Sequence, residues 1–136
     1  MEDCIFCKIV KGEIPCSKIY EDDKILAFLD INPVHKGHTL VIPKEHYEGI
    51  IDMPDETLGE LAKAAKKISK AVKKATGVNG FNIVQNNGAD AGQDVFHFHL
   101  HIIPRLKGDG LGRWPHQKFP DEEMTGIKKA ITNALE

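Results

Sequence analysis

Residues 95–103 have the sequence VFHFHLHII, in which histidine alternates with apolar side chains. A β-strand directs successive side chains to opposite faces, so this alternation predicts a strand over the whole segment. On such a strand His97, His99 and His101 share one face at intervals of about 6.5 to 7 Å, and the apolar residues between them face the core. Packing does not require three imidazoles on one face, so the pattern indicates chemistry there.

The segments before this strand predict more strands and one long helix. Apolar runs at residues 18–20 and 25–29, separated by a polar turn, are typical of a hairpin. Residues 38–42 and 81–85 are rich in strand-forming side chains. Between them, apolar residues recur at helical spacing from residue 54 to 76, and this stripe is also compatible with a dimer contact. Because strands outnumber helices, we predict an α+β fold with a mainly antiparallel five-stranded sheet.

Composition limits the kind of protein. The chain has 136 residues, 41% of them hydrophobic and 28% charged, which suits a single globular domain spanning residues 1–136. A formal net charge of −2 argues against nucleic-acid binding, and no apolar stretch is long enough to cross a membrane. Since the first residues lack the regions of a signal peptide, we expect a cytoplasmic protein.

Two further features bear on the chemistry. Cys4-x-x-Cys7 is typical of a metal or redox pair, because an odd cysteine count does not suggest a disulfide framework. The loop at residues 86–93 contains glycines that let backbone N–H groups approach an anion, and Asn86 and Gln93 offer amide donors to phosphate or ribose oxygens. The histidine row by itself fits either a zinc site or acid–base and nucleophilic catalysis.

Several segments together carry a family resemblance. They are the histidine row, Ala91-Gly92-Gln93, residues 28–31 (FLDI) and residues 37–46 (GHTLVIPKEH). From about Cys4 to Arg105 the chain resembles the histidine-triad family, in the branch that contains the nucleoside phosphoramidate hydrolases and in its prokaryotic form beginning Cys-x-x-Cys. The resemblance implies a short N-terminal helix and a homodimer, and the apolar spacing from Asp121 onwards predicts a C-terminal helix.

The resemblance also implies a mechanism. The middle histidine, His99, would attack the α-phosphorus of a small nucleotide and form a covalent nucleotidyl-histidine, which water then hydrolyses. His101 would lie beside the phosphate and assist the leaving group, and His38 would complete the cluster. A neutral imidazole with an ordinary pKa of about 6.5 is a competent nucleophile at neutral pH.

Binding residues follow by the same matching. Asp30 would bind ribose hydroxyls, and an apolar set would enclose the base: Ile5, Phe6, Ile9, Phe28, Leu29 and Ile31. Structural Zn²⁺ would be held by Cys4, Cys7, His46 and His97, linking residues 1–16 to the histidine strand, and residues 106–136 would form the tail and terminal helix. No organic cofactor is expected.

Three alternatives remain open at the level of sequence. Pro104-Arg105 also resembles family branches that cleave dinucleoside polyphosphates. A nucleotide-binding regulatory protein with vestigial hydrolysis would keep the site without the turnover, and a structural zinc protein would not need the histidine row at all. Asp94 departs from the pattern, since a Ser or Thr often follows Gly-Gln. Its carboxylate either turns away from the site or faces the histidines and raises the pKa of one of them. We expect it to turn away, because it would repel a substrate phosphate.

Overall fold

The structure, a computed structural model, describes residues 3–112 and 114–135. It consists of three helices and five strands in an antiparallel sheet of order β1-β2-β3-β5-β4, which confirms the predicted α+β class. The helices are α1 (Ile5–Val10), α2 (Asp55–Thr76) and α3 (Asp121–Ala134), and the strands are β1 (Lys18–Glu21), β2 (Ile25–Leu29), β3 (Thr39–Pro43), β4 (Gly80–Gln85) and β5 (Leu100–Arg105).

Core residues lie on both faces of the sheet. On one face Ile25, Val41 and Ile102 pack against α2, and on the other Phe28 and Leu40 pack against α1. Every residue of β3 is buried, because this strand lies in the middle of the sheet and is covered on both sides. Such burial explains why the strand has a continuous apolar run instead of an alternating one.

Helix α2 follows the predicted boundaries and buries most of the predicted apolar stripe. Its last turn is closed by Gly77, whose φ of 73° is left-handed and whose N–H donates to the Lys73 carbonyl. Its buried positions include Leu61, Ile68 and Val72, whereas Ala62, expected on the apolar stripe, is exposed. The buried residues of the stripe pack on the sheet of their own chain.

The histidine strand begins later than predicted. Regular pairing of β5 starts at Leu100, so His97 and His99 precede the strand and the prediction of a strand from residue 95 is wrong at that end. The reason is a long-range contact: the N–H of Phe98 donates to the carbonyl of Tyr47 (2.7 Å), and the Phe98 side chain is fully buried in the core on the α2 face.

The C-terminal part differs from the rest in its exposure. Arg105 forms a bidentate ion pair with Asp109 (2.8 and 2.9 Å), which holds the segment after β5, and His35 contacts the same carboxylate at 3.3 Å. Helix α3 has no buried residue among those described. Within residues 3–112 and 114–135, no helix has both the length and the apolar character needed to cross a bilayer.

Candidate active site and metal centre

A cavity of about 230 Å³ opens between α1, the end of β2 and the start of β5. Phe6 of α1 forms one wall and packs edge-on against the rings of Phe28 (centroids 5.6 Å apart) and His99 (5.2 Å). The structure brings together here Asp30, His99, His101 and all six apolar residues predicted to enclose a base: Ile5, Phe6, Ile9, Phe28, Leu29 and Ile31. Cys16 also lines the cavity, a position that no sequence pattern predicted.

His99 is held in a single orientation. Its Nδ1–H donates to the main-chain carbonyl of His97 at 2.8 Å, and the side chain is 4% exposed. In neutral imidazole the other ring nitrogen then carries the lone pair. That atom, Nε2, has no hydrogen-bond partner among the described residues and lies on the cavity, so it is available to attack an electrophile.

A second pair of histidines is ordered by a chain of hydrogen bonds. The N–H of Val34 donates to Nδ1 of the buried His38 (3.0 Å), which places the ring proton of His38 on Nε2. His38 Nε2–H in turn donates to Nδ1 of His101 at 2.9 Å. Neutral His101 therefore carries its own proton on Nε2, as a donor.

Burial keeps this pair neutral. It lowers the pKa of His101 to about 4, and nearby His99 and His38 lower it further against the opposing effect of the Asp30 and Asp94 carboxylates. Burial also lowers the pKa of His38, against the opposing charge of Asp30, whose Oδ2 lies 3.5 Å from its Nε2. At neutral pH both rings act as hydrogen-bonding groups and not as cations.

The loop before the histidines is built around Gln93. Its buried amide donates to the carbonyls of Glu48 (2.7 Å) and Val95 (3.1 Å), and its Oε1 accepts from the N–H of Gly88 (2.8 Å). In this structure those atoms hold the loop together and do not face the cavity. Asn86 borders a separate groove and is not among the residues that line the cavity.

The side chain of Asp94 points in a different direction from the one predicted. Its Oδ1 lies 3.8 Å from Nε2 of His99, with the side chain 84% exposed at the rim of the cavity. The expectation that this carboxylate turns away from the site is therefore wrong. Gln93 fixes the backbone on either side of Asp94, and the loop geometry that results, which sequence spacing does not encode, directs the side chain towards the histidines.

On the other side of α1, two thiols and two imidazoles converge. Nδ1 of His97 lies 3.3 Å from Sγ of Cys4, 3.6 Å from Sγ of Cys7 and 3.2 Å from Nδ1 of His46. His97 is fully buried and its Nε2–H donates to the Pro43 carbonyl (2.7 Å), which leaves the lone pair of Nδ1 facing the thiols. Burial lowers the pKa of His97 to about 4 and raises that of the Cys7 thiol.

This cluster fits Zn²⁺. Zinc–sulfur and zinc–nitrogen bonds of about 2.3 and 2.0 to 2.1 Å place tetrahedral ligands about 3.3 to 3.8 Å apart. The pairs just given, and Cys7 Sγ to His46 Nδ1 at 3.4 Å, lie close to that range. The donor atoms of the four predicted ligands thus lie close enough together to bind one ion. Four protein ligands, two Cys and two His, leave no open coordination position, which is typical of structural zinc.

Fold and site together define a class of small α+β domains in which a row of histidines borders an apolar cavity at the start of a sheet strand. The chain belongs to the HIT family, since the family model described as HIT domain matches residues 11–108.

Relatives extend over nearly the whole chain. The chain is 45% identical to the adenosine 5′-monophosphoramidase of Schizosaccharomyces pombe, over 97% of this chain and 98% of that protein. The crystal structure of a HIT family member from Bacillus subtilis superimposes with a TM-score of 0.90 at 46% identity, covering 98% of both chains. A zinc-bound histidine triad family protein from Mycobacterium smegmatis gives a TM-score of 0.77 at 40% identity, covering 99% of both.

Proposed function

We propose that the protein hydrolyses nucleoside 5′-phosphoramidates, of the adenosine type, at the α-phosphate through a covalent nucleotidyl-His99 intermediate. The observation that carries the proposal is the orientation of His99, whose Nδ1–H is bonded to the His97 carbonyl while Nε2 faces an apolar cavity without a partner among the described residues. The relative named as an adenosine 5′-monophosphoramidase supports the substrate class.

In the first step the lone pair on Nε2 of His99 forms a bond to the α-phosphorus. The phosphorus–nitrogen bond of the substrate breaks, its electron pair stays on the leaving nitrogen, and that nitrogen takes a proton from solvent and departs as an amine. His101 is neutral, because its pKa is lowered to about 4, so its Nε2–H stabilises the phosphate oxygens as a hydrogen-bond donor. His38 positions His101 through the 2.9 Å bond to its Nδ1.

In the second step water attacks the phosphorus of the intermediate. The phosphorus–nitrogen bond to His99 breaks, its electron pair returns to Nε2, and the water proton passes to solvent. The products are a nucleoside monophosphate and the regenerated imidazole. The carbonyl of His97 holds the ring in the same orientation throughout, so no rotation is needed between the two steps.

Nucleoside binding is assigned to the 230 Å³ cavity. Asp30, at the end of β2, would accept from the ribose hydroxyls through Oδ2, since its Oδ1 already accepts from the N–H of Asn32. The base would lie between the side chains contributed by α1 and β2. Gln93 is not used as a side-chain ligand, because its amide holds the loop, and the phosphate would face main-chain N–H groups there.

His99→Ala tests the mechanism. We expect loss of hydrolysis of adenosine 5′-phosphoramidate with AMP binding and melting temperature largely kept, because the ring supplies a covalent step. His116→Ala, which changes an exposed histidine, is the matched control. Rapid mixing of wild type with substrate followed by mass spectrometry should locate an added AMP mass on His99. Near-wild-type turnover by His99→Ala would refute the mechanism, and preferred cleavage of diadenosine polyphosphates would favour the alternative substrate class.

We also propose that Cys4, Cys7, His46 and His97 bind one structural Zn²⁺. The support is the 3.2–3.6 Å spacing of the donor atoms and the zinc-bound relative. Bound zinc would stabilise thiolates and tie α1 to the segment before β5, in a reducing compartment such as the cytoplasm. Metal analysis of protein purified without chelator should give about one zinc per chain.

A homodimer is the last part of the proposal. Helix α3 has an apolar stripe at Met124, Ile127, Ile131 and Leu135, each more than half exposed, and no residue of this helix is buried. A helix of this kind is stabilised mainly by packing its apolar face, so a second copy is the proposed cover. Light scattering should give a dimer mass, and Ile127→Asp with Ile131→Asp should shift it to a monomer.

A further inference from the structure

A second cavity, of about 390 Å³, borders the active site on the side away from β2. Three of its lining residues, Asp3, Glu48 and Asp94, carry carboxylates, and Val95 and Phe96 give it an apolar floor. No Lys or Arg is among the described residues that line it. We call this cavity the acidic cleft.

The acidic cleft is continuous with the nucleoside cavity. Ile5, Asp94 and Val95 line both, and Asp94 Oδ1 lies 3.8 Å from Nε2 of His99, a residue that lines the nucleoside cavity. That nitrogen belongs to a side chain only 4% exposed and has no hydrogen-bond partner within the described residues. When this nitrogen attacks in line, with the nucleoside in the first cavity, the phosphorus would lie close to Asp94, and the amine opposite the attacking nitrogen would depart past the rim that the two cavities share.

We infer that the acidic cleft receives the leaving group, and that Asp94 and Glu48 select amines bearing a further positive charge. The inference rests on the proposed function and names the substrate subclass of the same site. The apolar floor suits the methylene chain of an alkyl diamine or a lysine-like amine, and the carboxylates suit its distant ammonium group.

Charge explains the direction of the preference. A leaving group with its own negative charge would meet two or three carboxylates without a lysine or arginine to offset them, whereas an ammonium group would be attracted. The Asp94 side chain is 84% exposed, so water and salt screen the effect. An exposed charge pair of this kind corresponds to a change of about 1.5-fold to twofold per carboxylate for each unit of leaving-group charge at low salt.

The test uses three adenosine 5′-phosphoramidates with chains of matched length, made from cadaverine, n-pentylamine and aminopentanoate. For wild type we expect kcat/KM to fall in the order cationic, neutral, anionic, with about tenfold between the extremes at low salt. In about 1 M NaCl, where the screening length is about 3 Å, the ratio should approach one.

The isosteric double variant Asp94→Asn with Glu48→Gln should bring the three substrates within about twofold of one another. Asp23→Asn removes an exposed charge in the β1–β2 turn, outside both cavities, and should keep the wild-type order.

The outcomes of this experiment distinguish a wrong assignment of the acidic cleft from a wrong proposed function. If wild type hydrolyses all three substrates equally, or if the double variant keeps the wild-type ratios, the acidic cleft does not select the leaving group, although the phosphoramidase activity stands. Equal loss of activity on all three substrates in the double variant would also overturn the inference, because it would show a role independent of leaving-group charge. Hydrolysis of none of them by wild type would overturn both.

Discussion

Loss of the proposed zinc should open the nucleoside cavity, because α1 contributes to both sites. Cys7 lies within this helix and Cys4 caps its N-terminus, accepting a hydrogen bond from the N–H of Cys7 at 3.3 Å. The same helix presents Phe6 to the cavity. A helix of six residues is too short to be stable by itself, so its position depends on its packing and on the thiols.

The size of the effect can be worked out from Phe6. This side chain is 6% exposed and contacts Phe28 and His99, and full burial of a phenylalanine contributes about 1.5–3 kcal/mol. If α1 moves away from the sheet, a bound nucleoside loses one wall of comparable area. Since about 1.4 kcal/mol corresponds to a factor of ten, Kd for AMP should rise about tenfold to a hundredfold.

His46→Asn is the variant of choice, because His46 belongs to the metal cluster and does not line the nucleoside cavity. His116→Asn is the matched control. Titration calorimetry with AMP, alongside metal analysis of the same samples, should show weaker binding only in the zinc-free variant. A zinc-free His46→Asn protein that binds AMP with the wild-type Kd would refute the coupling between metal and cavity wall.

Three further predictions concern the histidines and the core. His97→Ala should lower the melting temperature more than His101→Ala, because only His97 combines complete burial, the Pro43 bond and the metal cluster; equal melting temperatures would contradict this. The pKa of His101 is lowered to about 4 in the folded protein, so as the pH falls the unfolded chain takes up this proton before the folded protein does. The free energy of unfolding should therefore fall as the pH drops from about 6.5 to 4. Urea titrations should show a smaller fall in His101→Asn. Phe98→Ala should cost about 3–5 kcal/mol in the same assay, and a loss below about 1 kcal/mol would be inconsistent with its burial in the core.

Local patterns predicted most of the secondary structure. The apolar and polar periods placed the hairpin, β3, α2 and β4 within one or two residues of their observed bounds. Patterns failed where long-range contacts decide the backbone, as at the start of β5, where the bond from Phe98 to Tyr47 replaces strand pairing. By contrast, helical spacing correctly predicted the side of α2 that meets the sheet, with Leu61, Ile68 and Val72 buried.

For the functional site too, some features followed from residue types and others only from the folded structure. Residue types and family resemblance predicted the histidines, the four proposed metal ligands and the apolar wall residues, because packing rarely requires this combination of paired thiols and alternating imidazoles. The resemblance did not predict the use of Gln93 within its own loop, since hydrogen bonds to Glu48 and Gly88 depend on how distant segments meet.

The sequence by itself therefore determined the fold class, the chemical groups available and the row of histidines at residues 97, 99 and 101. Only the tertiary structure decided which ring nitrogen of His99 is free, because the tautomer depends on a carbonyl oxygen placed by the backbone. It also decided that Asp94 faces that nitrogen and that Glu48 joins it at one cleft, although these residues lie far apart along the chain. Packing sets the direction of each side chain and brings distant loops together. The sequence specifies that packing only once the whole chain has folded.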